Sequence, residues 1–158
     1  VPNFDSSFNI SETCRKGVLI GGDNLFGMFN TYQADFLAVE DSSVMWISKE
    51  KVLCALVIDR LYMLNYLNYL SLQGQRPVDT LKHYGGGTLH AFLAMYVQAM
   101  TGLQSEDIEI QTNIAALSRL SNLTPDDIKQ QLTHLSRQRL IEILPGRIRI
   151  PSRFTFLR

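Results

Sequence analysis

Apolar and polar positions divide the chain into stretches of different period. Residues 17–48 read as short strands with turns: "GVLIGGDNLFG" stops an apolar triplet with Gly-Gly-Asp, and "DFLAVEDSSVMWIS" partly alternates about an Asp-Ser-Ser turn. From Ser48 the period changes to that of a helix. Val52, Leu56, Leu61, Leu64, Leu67 and Leu70 recur mostly at threes and fours, with Asp59-Arg60 as an interruption and no Gly or Pro before Gly74. From Leu61 to Leu72 more than one face is apolar, so this helix is expected to be central in a core or shared with a second subunit. "GQRPVDTLKHYGGG" reads as one or two further amphipathic turns mixed with breakers and closed by a glycine hinge. "TLHAFLAMYVQAM" is a second helix, with Leu89, Phe92, Leu93 and Tyr96 on one side and a stop at Thr101-Gly102. "LQSEDIEIQ" is polar and reads as a loop leading into a short strand.

The pattern is sharpest at the C-terminal end. "TNIAALSRLSN" predicts a helix burying Ile114, Leu117 and Leu120, and a short turn follows it. Thr124 is then an N-cap, with Pro125 at the first helical position and Asp127 three residues on, a relative of the capping box. Ile128, Leu132 and Leu135 form the inward stripe of this helix. "LIEIL" and "RIRI" alternate and are joined by Pro145-Gly146, which predicts a hairpin. Helix, turn, helix and two-stranded wing is the order of a winged helix-turn-helix.

That order gives the polar positions a meaning. With the stripe inward, the outer face carries Asp126, Lys129, Gln130, Thr133, His134 and Arg137, residue types suited to base edges and phosphates. Arg147 and Arg149 lie two apart on one face of the wing, spaced to clamp backbone phosphates, and Thr124 starts the helix. Asp126 and Asp127 complement the helix dipole but repel phosphate, so base contact is expected from the middle and later turns.

Charge supports the same end of the chain. The whole sequence balances 15 Lys and Arg against 15 Asp and Glu, yet from Ile110 onward eight basic residues face three acids. A basic final third suits a polyanion. The 158 residues, 46% of them apolar, suffice for one domain or two small ones. Cys14 and Cys54, forty residues apart, suggest neither a zinc site nor a disulfide framework. No run reaches the roughly 20 apolar residues of a membrane span, and no signal segment opens the chain, so a cytoplasmic protein without membrane contact is expected. "HYGGG" lacks an accompanying G-x-S-x-G, and Gly-Gly-Asp lacks the Lys-Ser/Thr of a phosphate loop. No enzyme is expected.

Taken together, "IAALSRLSNLTPDDIKQQLTHLSRQRLIEILPGRIRI", "GGDNLFGMF" and "AVEDSSVMWISKEKV" resemble the Crp/Fnr family of bacterial transcription regulators over about residues 17–150. The resemblance implies an α+β chain in three parts: the remainder of a β-roll effector domain in 1–48, helices including a dimerisation helix in 49–84, and a winged helix-turn-helix in 85–158. It implies a homodimer through Leu61, Leu64, Leu67, Leu70 and Leu81, with the two DNA-reading helices roughly 34 Å apart on double-stranded DNA. Family members that bind cyclic nucleotides place a Glu and an Arg-Ser pair where Met28 and Tyr32-Gln33 stand here. A phosphate without an Arg is costly to bury, so the effector expected near Met28, Tyr32 and Gln33 is a small molecule other than cyclic AMP. The family's usual Arg and Glu for base contacts are replaced by Pro125 and Asp126. The chain opens on Val1 with fewer strands than the family's roll, so a truncated or unordered start is expected. No cofactor is expected; haem on His83 or His90 is the one variant the histidines suggest. The alternatives are a winged helix that binds a partner protein, and a ligand sensor whose DNA binding has decayed.

Overall fold

The computed structural model describes residues 7–14, 16–28, 30–32, 34–83, 87–102 and 105–157, with backbone alone for residues 76–83 and 106. Among them the fold is mixed α+β: six helices and a four-stranded, open antiparallel sheet. The described residues form two compact units, one from 1–18 and 76–158, the other from 19–75.

The first unit contains β1 (Phe8–Thr13), α3 (Leu89–Met100), β2 (Glu106–Thr112), α4 (Ile114–Ser121), α5 (Pro125–Arg137), β3 (Glu142–Leu144), β4 (Arg147–Ile150) and α6 (Arg153–Phe156); α1 (Lys49–Ile58) belongs to the second, and α2 (Arg60–His83) runs from one into the other. The sheet order is β1-β2-β4-β3. Its period-2 alternation explains its two faces. Ile108 pairs with Ile150 and Ile110 with Ile148, and all four are buried, while Glu109 pairs with Arg149 and Gln111 with Arg147 on the opposite face. The residues "LQSEDIEIQ", expected to be a loop leading into a short strand, thus supply six of the seven residues of β2, a strand between two others. Residues 8–13, grouped by sequence with an N-terminal part, pair with β2 instead.

Helices cover the isoleucine face. Thr88 caps α3 by accepting from the Ala91 N–H, and Leu89, Leu93 and Val97, one turn apart, are fully buried. Asn113 caps α4 in the same way, and α4 ends on Asn122 in the left-handed conformation, φ 58°. The predicted stripe on α4 is corrected in part. Leu117 is buried and Ile114 half-buried, but Leu120 is 37% exposed and Ala116 takes the inward place, because α4 ends before another turn can reach the core. On α5 the stripe of Ile128, Leu132 and Leu135 is buried as expected. Gly146, at φ 72°, supplies the conformation that the β3–β4 turn needs.

In the second unit Asp59 explains the break between α1 and α2. Its N–H closes α1 onto the Ala55 carbonyl, and its carboxylate accepts from the N–H groups of Leu61 and Tyr62 at 2.8 and 3.1 Å. The Tyr66 hydroxyl donates to the Gly22 carbonyl at 2.6 Å. The helix continues past Gly74 and Pro77, expected to be breakers, to His83; a propensity cost of about 1 kcal/mol for Gly and 3 for Pro weighs on single residues and need not end a long helix. Of the glycine hinge, residues 85 and 86 lie outside the described residues.

The strands expected in 17–48 do not form among the described residues. A strand needs a neighbour to satisfy its backbone, and "DFLAVEDSSVMWIS" has none: Phe36, Leu37, Val39, Val44, Met45, Trp46 and Ile47 are all exposed. Apolar alternation alone does not make a ladder. No helix among the described residues is long and apolar enough to cross a membrane.

Candidate nucleic-acid interface

The outer face of α5 is held by its own start. Thr124 accepts from the Asp127 N–H at 3.2 Å while its hydroxyl donates to the Asp127 carboxylate at 2.6 Å, and Pro125 occupies the first turn. Such a cap contributes on the order of 1 kcal/mol. The hydroxyl of Thr124, a predicted contact, is therefore already engaged. Gln131 fixes the helix from one side: its Oε1 accepts from the Leu89 N–H at 2.7 Å, which satisfies an otherwise open donor at the start of α3. Sequence periodicity did not single out Gln131, which lies at the border of the buried stripe.

Asp126, Lys129, Gln130, Thr133, His134 and Arg137 are all exposed, as predicted. They are not equivalent. Lys129 pairs with Asp126 at 3.3 Å, and the Thr133 hydroxyl donates to the Lys129 carbonyl. With both partners largely exposed, that ion pair is weak. The side chains of Gln130, His134 and Arg137 make no hydrogen bond or ion pair among the described residues, and with Gln131 and Thr133 they line a shallow hollow. Arg139, just past the helix with φ 59°, is exposed as well. It was counted in the basic third but not named as a contact, since the turn that presents it is not periodic.

The wing differs from expectation. Arg147 pairs with Glu109 at 3.0 Å. Arg149 grips Asp107 with two nitrogens, at 2.6 and 2.8 Å, and reaches Glu142 at 3.2 Å. Both guanidinium groups thus have acidic partners within the sheet, with which a phosphate would have to compete. The acids responsible stand on β2 and β3, and only strand pairing brings them beside β4. Hydrogen bonding to Arg149 holds the Asp107 carboxyl below the usual carboxylate range, and Asp107 in turn raises Arg149. For an acid depressed in the folded state, the stabilisation is complete above the unfolded value of about 3.9 and is lost as pH falls below it. Urea denaturation between pH 6 and pH 3 is expected to show wild type losing more stability than Asp107→Asn over the lower part of that range. Equal losses would mean that the pair carries no linkage. Asn also tolerates the left-handed backbone of Asp107, φ 56°.

The other predicted sites are less concentrated. Leu61, Leu64 and Leu67 are exposed at 68, 45 and 52%, Leu70 is half-buried, and the side chain of Leu81 lies outside the described residues. Met28 is 87% and Tyr32 54% exposed, so neither supplies a buried pocket wall, and Gln33 lies outside the described residues. His90 donates through Nε2 to the Phe156 carbonyl at 2.8 Å and meets that ring edge-on, so this nitrogen is engaged within the fold. The His83 side chain is outside the described residues. No cluster of three metal-ligating side chains occurs among the described residues. The chain matches no family model and no curated protein sequence.

Proposed function

We propose that the part of the first unit running from α3 to β4 is a winged helix-turn-helix that binds double-stranded DNA, in a homodimeric transcription regulator of Crp/Fnr type. One observation carries the reading: Gln130, His134 and Arg137 stand exposed and unengaged on a firmly capped helix whose other face is locked into a core. Polar groups left open together on a rigid element suit a polar partner, and two of these are common base readers. The order helix, strand, helix, helix, hairpin supports it, with β4 lying between β2 and β3. A protein-binding winged helix would favour an apolar exposed patch on α5, and this face carries amide, imidazole and guanidinium groups instead. Leu61, Leu64 and Leu67, exposed along α2, are the surface offered for pairing with a second copy.

The test is binding of the purified chain to fragments of its own promoter region across a salt series. Affinity is expected to fall linearly on logarithmic axes with salt, as counterions leave the phosphates. Arg137→Ala with Arg139→Ala should flatten that slope, and Arg149→Ala should leave it nearly unchanged. Binding indifferent to salt, or absent, would remove the proposal.

A further inference from the structure

Seven residues separate Gln130 from Arg137. On an α-helix that is two turns, returning to the same side within about 20° and advancing about 10.5 Å. Base pairs rise about 3.4 Å each along the duplex axis and the groove runs oblique to it, so the two side chains are spaced for base pairs about two to three steps apart. Both are free to form new bonds, since neither is engaged within the described residues. Their chemistry is selective. A guanidinium fork matches the two acceptors on the major-groove edge of guanine, and a carboxamide matches the acceptor and donor of adenine.

The remaining polar groups of α5 are poorer readers. Lys129 is drawn to Asp126, and the Thr133 hydroxyl donates its hydrogen bond to the Lys129 carbonyl, which leaves it an acceptor and a methyl group. Asp126 and Asp127 repel phosphate from the first turn, which disfavours entry of the helix into the groove by its start. Contact by the middle and last turns, with the axis lying along the groove, meets both constraints. His134 lies between the two readers in sequence, and Arg139 follows them.

We infer that Arg137 and Gln130 are the specificity-determining pair, reading a guanine and an adenine about two to three base-pair steps apart in the major groove of each half-site. The inference rests on the DNA-binding reading above and deepens it. Wing arginines Arg147 and Arg149, held by Glu109, Asp107 and Glu142, contribute no sequence preference.

Selection from a random double-stranded DNA library, with wild type, Gln130→Ala, Arg137→Ala and Arg137→Lys, tests it, and thermal melts verify that each variant folds. Wild type is expected to enrich sites with G·C and A·T pairs at that spacing. Arg137→Ala should weaken binding to such a site about 5- to 150-fold and relax the guanine position alone, while Gln130→Ala relaxes the adenine position alone. Arg137→Lys keeps the charge but not the planar fork, so it should retain the salt slope and lose much of the guanine preference. If the variants weaken binding uniformly and the enriched sequence is unchanged, the pair is not the reader and the inference falls, with DNA binding intact. If nothing is enriched and no DNA is bound at any salt concentration, the DNA-binding reading itself falls.

Discussion

Phe156→Ala is expected to destabilise the first unit by about 3–5 kcal/mol, the range for removing a fully buried aromatic ring. Phe156 is 0% exposed although it lies two residues from the end of the chain, in the four-residue helix α6. Ser152 caps that turn by accepting from the Thr155 N–H, and α6 lies against β2. The Phe156 ring meets the His90 ring at 4.8 Å, and its carbonyl accepts from the same histidine. Loss of the ring therefore empties a site shared by α3, α6 and the sheet. Phe154, two residues earlier, is 69% exposed, and Phe154→Ala is expected to change stability by no more than about 0.5 kcal/mol. Urea titrations followed by circular dichroism separate the two. Similar midpoints for both variants would show that α6 is not part of the folding core. Against a typical stability of about 5–15 kcal/mol, the larger loss would remove a substantial share of the margin while leaving a measurable transition.

Ile128→Ala is expected to cost about 2–5 kcal/mol, because Ile128 is 0% exposed and packs in the core with Leu132 and Leu135. Gln130→Ala, two residues on and exposed, should change stability by less than about 0.5 kcal/mol. The pair separates the two faces of one helix. Ile128→Ala should lower DNA binding only in proportion to the fraction unfolded, whereas Gln130→Ala should alter binding at unchanged melting temperature. If Gln130→Ala unfolds the protein, the outer face of α5 is structural and its polar groups are not held for a partner.

How much of this was legible beforehand depended on the range of the interactions. The cap at Thr124, the stripe of Ile128, Leu132 and Leu135, and the exposed face between them follow from contacts three or four residues apart. The break at Asp59 was legible for the same reason, as was the Pro145-Gly146 turn. The strands expected in 17–48 were not formed among the described residues, because alternation records a preference for a half-buried ladder and carries no information on whether a partner strand is present. Leu120 was misplaced because it stands in the last turn of α4, where it is 37% exposed, and the helical period does not tell where along a helix its packing partners stop.

The candidate site divides along the same line. Sequence alone determined which residues face outward from α5, since the helical period is a local property of the chain. Only the tertiary structure decided which of those residues are still open to a partner. Arg147 and Arg149 looked as available as Arg137, yet β2 brings Glu109 and Asp107 beside them from about forty residues away, and β3 brings Glu142. Strand register sets those ion pairs, and register follows from packing four isoleucines on the inner face. The basic hairpin was visible in the sequence; its pairing with acidic partners was a consequence of long-range strand pairing, which no local pattern encodes.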